Sequence, residues 1–135
     1  PNLPALRRGE IGRVLSLIKA DFNAYAGLGF EILSKELLAK YLNLEISQIS
    51  SFWNKEVEID IYAKFESFCV AGECKYKERK ISKNVLNELM LKCEKAHLAP
   101  DLLALFSKSG FSGELQNLKS DKILLFSLED FKILL

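Results

Sequence analysis

The sequence predicts an α/β domain in which helices pack on a mixed β-sheet. Three observations carry this reading. Apolar and polar residues alternate over 57–64, apolar residues recur at helical spacing on either side of that stretch, and a hairpin is followed by a crossover helix and a further strand. At 135 residues the chain has the length of one compact domain, enough for one hydrophobic core and too little for two.

Ile11, Val14, Leu15 and Ile18 are spaced for an amphipathic helix over about 10–20, with a basic polar face at Arg7, Arg8 and Arg13. Phe30, Leu33, Leu37, Leu38 and Tyr41 predict a second, longer helix that also carries Glu31. Gly27 and Gly29 blur its start, because glycine costs about 1 kcal/mol relative to alanine inside a helix. From Ile46 the composition turns β-branched and aromatic, which predicts three short strands within 47–76. In the second, Val57, Ile59, Ile61 and Ala63 alternate with Glu58, Asp60, Tyr62 and Lys64, the pattern of a strand with one buried face. The third, Cys69 to Tyr76, sets Glu73 and Lys75 on one face and Val70, Gly72, Cys74 and Tyr76 on the other. Ser82 is a good N-cap for a helix bearing Val85, Leu86, Leu89, Met90 and Cys93 and running to about His97, and Pro100 keeps it from continuing. Leu102–Phe106 and Ile123–Ser127 read as two more strands, with a short helical or irregular stretch around 113–118 between them.

The composition, 49% apolar and 27% charged, is that of an ordinary globular protein. The net charge of +1 gives no global electrostatic case for nucleic acid, so any such case rests on local clustering. No apolar run approaches the roughly 20 residues a membrane-spanning helix needs, and no signal peptide opens the chain, so a cytoplasmic protein without a membrane partner is expected. Cys69, Cys74 and Cys93 contain no CxxC pair and only His97 could supplement them, which argues against structural zinc and for three buried thiols in a reducing compartment. The chain begins at Pro1 without a methionine, and the expectation is that residues 1–135 are one domain cut from a longer polypeptide.

The sharpest feature is Glu58-Ile59-Asp60 facing Gly72-Glu73-Cys74-Lys75. If Asp60 lies opposite Glu73, Lys64 faces Cys69 and residues 65–68 form a four-residue hairpin loop. Opposed residues project to one face with Cβ atoms about 5 Å apart, and Lys75 projects there too. Two carboxylates at that separation repel by roughly 3 kcal/mol at an effective dielectric near 20, so a cation belongs between them. Lys75 could serve alone, giving an exposed strand face with a salt bridge. A divalent cation could serve better, since Mg2+ takes one or two protein carboxylates and fills its shell with water and phosphate oxygens. Asp60, Glu73 and the Cys74 backbone carbonyl would make such an open site, with Lys75 orienting the attacking water on a phosphodiester.

The ordering of Gly29-Phe30-Glu31 in a helix, Glu58-Ile59-Asp60-Ile61, Gly72-Glu73-Cys74-Lys75 and a following helix resembles the PD-(D/E)XK, or restriction-endonuclease-like, nuclease superfamily, whose core is helix, three strands, helix, strand. More narrowly, Val57–Ile61, Gly72–Lys75 and Phe106-Ser107-Lys108-Ser109-Gly110-Phe111 are similar to a domain of unknown function that ends some prokaryotic AAA+ class ATPases. The resemblance spans about residues 22–130. It implies Asp60 and Glu73 as metal ligands for Mg2+ or Mn2+, Lys75 as the catalytic lysine, and Glu31 as the helix acid that some members add to the metal shell. The proline that names the motif is replaced by Ile59. No GxxxxGK[ST] phosphate loop occurs, so the implied ATPase partner would lie upstream of Pro1.

Residues 75–83 hold five basic residues against one acid, immediately after the carboxylate pair, and Lys77, Arg79, Lys80 and Lys83 are candidates for holding DNA phosphates, or a solvated helix entry. Trp53 could stack on a base, though packing along the sheet edge is the expectation. His97, near a helix end, is assigned no chemistry, and Cys74 is expected to point away from the site as a core thiol. The functional expectation is a metal-dependent nuclease-like domain hydrolysing DNA. The alternatives are a catalytically silent DNA-binding or regulatory module with the same fold, and a protein-interaction domain on the ATPase.

Overall fold

The computed structural model describes residues 23–135, so the helix expected over 10–20 lies outside the described residues. Helix α1 (Asn23–Leu42) buries Phe30, Leu33, Leu37 and Leu38, as their spacing predicts, whereas Tyr41 is exposed and only meets Phe126 edge-on. It ends where Asn43 takes a left-handed φ of 57° and the Leu44 N–H closes on the Ala39 carbonyl at 2.8 Å, a capping geometry that asparagine tolerates well.

Five strands follow in one sheet of order β1-β2-β3-β4-β5: β1 (Ser50–Trp53), β2 (Glu58–Phe65), β3 (Phe68–Lys75), β4 (Leu102–Ser107) and β5 (Ile123–Ser127). The first three are antiparallel and the last two join in parallel, because helix α2 (Lys83–Lys95) and the short α3 (Gly113–Gln116) carry the chain back between them. The mixed sheet expected from the element order is therefore present. Ser82 caps α2 by accepting from the Asn84 N–H. His97 ends the cap with a φ of 58°, and the Leu98 N–H returns to the Cys93 carbonyl at 2.8 Å.

The sheet is covered on both faces. One core joins α1 to Ile61, Ala63, Val70, Ala104, Phe106 and Phe126. A closing 3-10 segment, Leu128–Leu134, which the sequence reading does not anticipate, adds Phe131 to that core. The other core joins Leu86, Leu89 and Cys93 of α2 and Leu115 of α3 to Ala71, Leu105 and Leu125. Of the expected α2 stripe, Met90 is 49% exposed and stays outside it. Among the described residues no helix is long and apolar enough to cross a membrane.

Two details of the hairpin differ from the expectation. The register is the expected one, with Lys64 opposite Cys69, but Phe65 and Phe68 also pair, so the turn is the two residues Glu66 and Ser67 rather than a four-residue loop. Glu66 accepts a left-handed φ of 53° to make it, a conformation suited to the twist of a tight hairpin. On the other edge of β2 the pairing with β1 slips between Ser50–Tyr62 and Phe52–Ile59, which leaves Asp60 and Ile61 opposite Ser51 as a bulge. The bulge divides what alternation assigns to one face: Ile61 and Ala63 enter the α1 core while Ile59 enters the α2 core.

Gly72 sits in the middle of the sheet between Ile61 and Ala104. A Cβ there would lie 2.8 Å from the Ala104 carbonyl oxygen, which is backbone and cannot swing away. Gly72→Ala is therefore expected to push β3 from β4 and destabilise the fold by about 1–3 kcal/mol, measurable by urea denaturation. A variant as stable as the parent would show that the strands separate freely at this point.

Candidate active site

The β2–β3 ladder runs from Phe65–Phe68 to Ile61–Gly72 and stops. The next residue of β2 is Asp60, in the bulge, so the strands part there. Asp60 is thus not a ladder partner of Glu73 as its register would have made it. Its side chain enters the gap instead, and Oδ2 accepts the Cys74 N–H at 3.0 Å. The Ser51 hydroxyl donates to the Asp60 carbonyl at 2.9 Å and in turn accepts from Lys35 Nζ at 3.2 Å, which holds the bulge in place. N–H and C=O of a strand residue point the same way, so the Cys74 carbonyl faces the same gap. Its thiol points to the opposite, α1 face, as expected, where burial pushes its pKa up.

Glu73 faces α2 and is 4% exposed. Burial first, and the neighbouring Asp60 carboxyl second, raise its pKa to about 7, against the lowering by Lys92. Lys92 Nζ, from α2, donates to Glu73 Oε1 at 2.8 Å. Asp60, Glu73 and Lys75 line one cavity of about 590 Å3 with Glu58, Glu88, Lys92 and Lys95. The three motif side chains therefore open on a common space.

Glu31 is placed differently. It does not line that cavity, and its carboxylate pairs with Lys35 at 3.6 Å, four residues along α1. Partial burial raises its pKa first, and the negative charge of Asp60 raises it further. Among the described residues no three His, Cys, Asp or Glu side chains gather as a metal-ligand set. The donors in the gap are two carboxyls and one backbone carbonyl. Such hard oxygen donors suit Mg2+ or Mn2+, which complete their shells with water or phosphate. Two adjacent carboxyls also need a shared proton or a cation between them, so the residues present fit a divalent ion.

Lys77, Arg79 and Lys80 are exposed and Lys83 half-buried, and none of the four has an ion-pair partner among the described residues. Lys77, Arg79 and Lys80, but not Lys83, line a second cavity of about 460 Å3 that shares Lys75 and Glu88 with the first. The loop that presents them is braced by the segment 106–111. The Lys108 N–H donates to the Lys75 carbonyl at 3.1 Å, Ser109 Oγ donates to the Lys77 carbonyl, and Lys108 Nζ reaches Glu78 at 2.8 Å while lying over the Tyr76 ring.

Sequence reasoning misses Lys92 and Ser51. Lys92 carries a signal: Val85, Leu89 and position 92 follow the i, i+4, i+7 spacing of a buried face, so a lysine there asks for a buried acid. Ser51 carries none. Trp53 reverses the packing expectation, being 75% exposed at the end of edge strand β1, paired with the cavity-lining Glu58.

A carboxyl whose pKa is higher folded than unfolded favours the fold fully below its ordinary 4.5 and loses that contribution as pH climbs through about 7. Metal-free protein is therefore expected to lose about 1–3 kcal/mol between pH 4.5 and 8 through Glu73. Chemical denaturation across this window in the presence of a chelator checks it, and Glu73→Gln is expected to flatten the slope. An unchanged slope in that variant would assign the pH dependence elsewhere.

The comparisons agree with this architecture. Among solved structures, a chain described as the DNA modification-dependent restriction endonuclease AspBHI matches over 93% of this chain with a TM-score of 0.61 and 13% sequence identity, a likeness that shows a restriction-endonuclease-like fold. The chain spans 35% of that protein. No curated protein matches it. The family model DUF234, described as archaeal and bacterial proteins of unknown function, matches residues 1–89, and the chain belongs to that family.

Proposed function

We propose that the domain is a metal-dependent nuclease that hydrolyses DNA phosphodiester bonds. The observation that carries this reading is that the carboxyls of Asp60 and Glu73 line one cavity with Lys75, beside the gap in which Asp60 Oδ2 accepts the Cys74 N–H. The fold likeness to a restriction endonuclease supports DNA as the substrate class. A divalent ion bound there would act as a Lewis acid on a phosphate oxygen and lower the pKa of a bound water. Lys75 has no ion-pair partner among the described residues, so its ammonium is available to hold a phosphate oxygen and to orient the attacking water. The proton lost by that water would pass to solvent at the open cavity mouth, and one bridging oxygen of the phosphodiester would leave, taking a proton from solvent, as the new phosphorus–oxygen bond forms. Glu31 is held by Lys35, whose charge offsets the repulsion between Glu31 and Asp60, and it enters the ligand set only if that ion pair opens. Cavity sharing through Lys75 supports a strand path in which Lys77, Arg79 and Lys80 hold the neighbouring phosphates, with Lys83 just beyond them at the start of α2. An upstream ATPase on the same polypeptide belongs to the same proposal and rests on the sequence resemblance, while a cytoplasmic setting is supported by the free thiols of Cys69, Cys74 and Cys93.

A second reading, a DNA-binding module that cuts nothing, is favoured by the occupation of Glu73 by Lys92. A cleavage assay with Mg2+ or Mn2+ separates the two. Metal-dependent cutting that falls at least about a hundredfold in both Asp60→Ala and Lys75→Ala is expected. Cutting that survives both substitutions overturns the site, and metal binding without cutting establishes the silent module. Independently, replacing Lys77, Arg79, Lys80 and Lys83 with alanine is expected to flatten the salt dependence of duplex binding, the logarithmic slope falling by about 0.9 for each phosphate that is no longer neutralised. An unaltered slope places the DNA elsewhere.

A further inference from the structure

We propose that Lys92 is an intramolecular stand-in for the metal: it holds Glu73 in the metal-free site and transfers to Glu88 when a divalent cation takes the carboxyl pair. The inference rests on the metal site proposed above. Glu73 is buried, with its side chain 5% exposed, while the Lys92 side chain is 36% exposed and reaches it from the solvent side across 2.8 Å. A divalent ion at Asp60 and Glu73 must therefore meet an ammonium already there, and repulsion between the two cations makes simultaneous occupation costly.

The displaced ammonium has a second acceptor. Glu88 lies one turn earlier on α2, lines the same cavity, and has no ion-pair partner among the described residues. Its charge acts on Lys92 in the present arrangement. Glutamate four residues before lysine is the favourable order for a pair on a helix surface. A lysine stem has the rotatable bonds to move between the two acids without moving the helix. Lys92 thus offsets the burial of Glu73 while the site is empty of metal, and yields it without becoming an unpaired charge.

Calorimetric titration of the intact chain with Mn2+ tests this, using Lys92→Met, Lys92→Gln in case the first fails to fold, Lys95→Met, Glu88→Gln and the Lys92/Glu88 double variant. Lys95 lines the same cavity without an ion pair among the described residues, so it measures the general effect of removing one positive charge. Removing Lys92 is expected to tighten Mn2+ binding about tenfold or more, and removing Lys95 by less than about threefold. Glu88→Gln is expected to weaken binding when Lys92 is present and to change little when it is absent, a coupling that simple charge removal does not produce. Binding in the Lys92 variants but not in the parent also supports the lock. Equal gains at Lys92 and Lys95, or no gain at Lys92 in a parent that binds, overturn the lock and leave the metal site standing. Failure of every variant to bind overturns both.

Discussion

Where the β2–β3 ladder stops, the two backbone polar groups of Cys74 face a gap that something must fill. A buried polar group left unpaired costs about 1–3 kcal/mol, so the gap is tolerable only because the Asp60 carboxylate takes the place of the missing strand for the N–H. That substitution requires the bulge, and the bulge requires a partner for the Asp60 carbonyl, which Ser51 supplies. The separation of two strands, a structural defect by the logic of the sheet, is what leaves one carbonyl and two carboxyls around a common space.

The fold is legible because its signals are local and independent. Alternation over 57–64, the helical spacing from Phe30 to Leu38 and the Ser82 cap each follow from one element's own chemistry, and each element appears where its residues place it. The 10–20 helix lies outside the described residues. The chemistry of the site is half legible. Index sums put Asp60 near Glu73 and Lys75 on the Glu73 face, and all three line one cavity. The sums assume a ladder running past Ile61, and nothing in the sequence announces a bulge, which depends on how β1 registers against β2. Hence alternation sends Ile59 to the wrong core, and puts Asp60 on a face when it lies in a gap. Lys92 escapes for a different reason, since its partner is a buried acid on another element and tertiary ion pairs leave only an out-of-place charge in a helical pattern.

The motif Phe106–Phe111, first visible as a string shared with similar domains, acquires a physical role from its contacts. It begins in the last two residues of β4, where Phe106 pairs with Cys74, and runs on beyond the strand. Its Lys108 and Ser109 backbone and side-chain bonds instead fix the main chain of 75–78, and the Ile81 N–H bonds the Gly110 carbonyl at 3.0 Å. Gly110 adopts a φ of 91° there, which a side chain would resist. A basic loop without such a brace would lose conformational entropy each time it closed on a phosphate backbone, and that loss would be subtracted from the binding energy. Here the ordering is already present before any ligand arrives.

The brace also explains the position of the two cavities. β3, β4 and β5 run parallel, and their carboxyl ends meet at Lys75, Ser107 and Ser127. In open α/β sheets the connections leaving those ends splay and make room for ligands. Lys75 is the last residue of β3, its side chain directed toward the carboxyl pair and its carbonyl bound to the brace, so it belongs to the rigid sheet and to the basic loop at once. A charged group that only neutralises Glu73 needs no such anchoring, and Lys92 meets that need from the helix α2. The two lysines near Glu73 are thus held differently: Lys75 is fixed by its strand and the brace, while Lys92 reaches Glu73 from α2 with a partly exposed side chain.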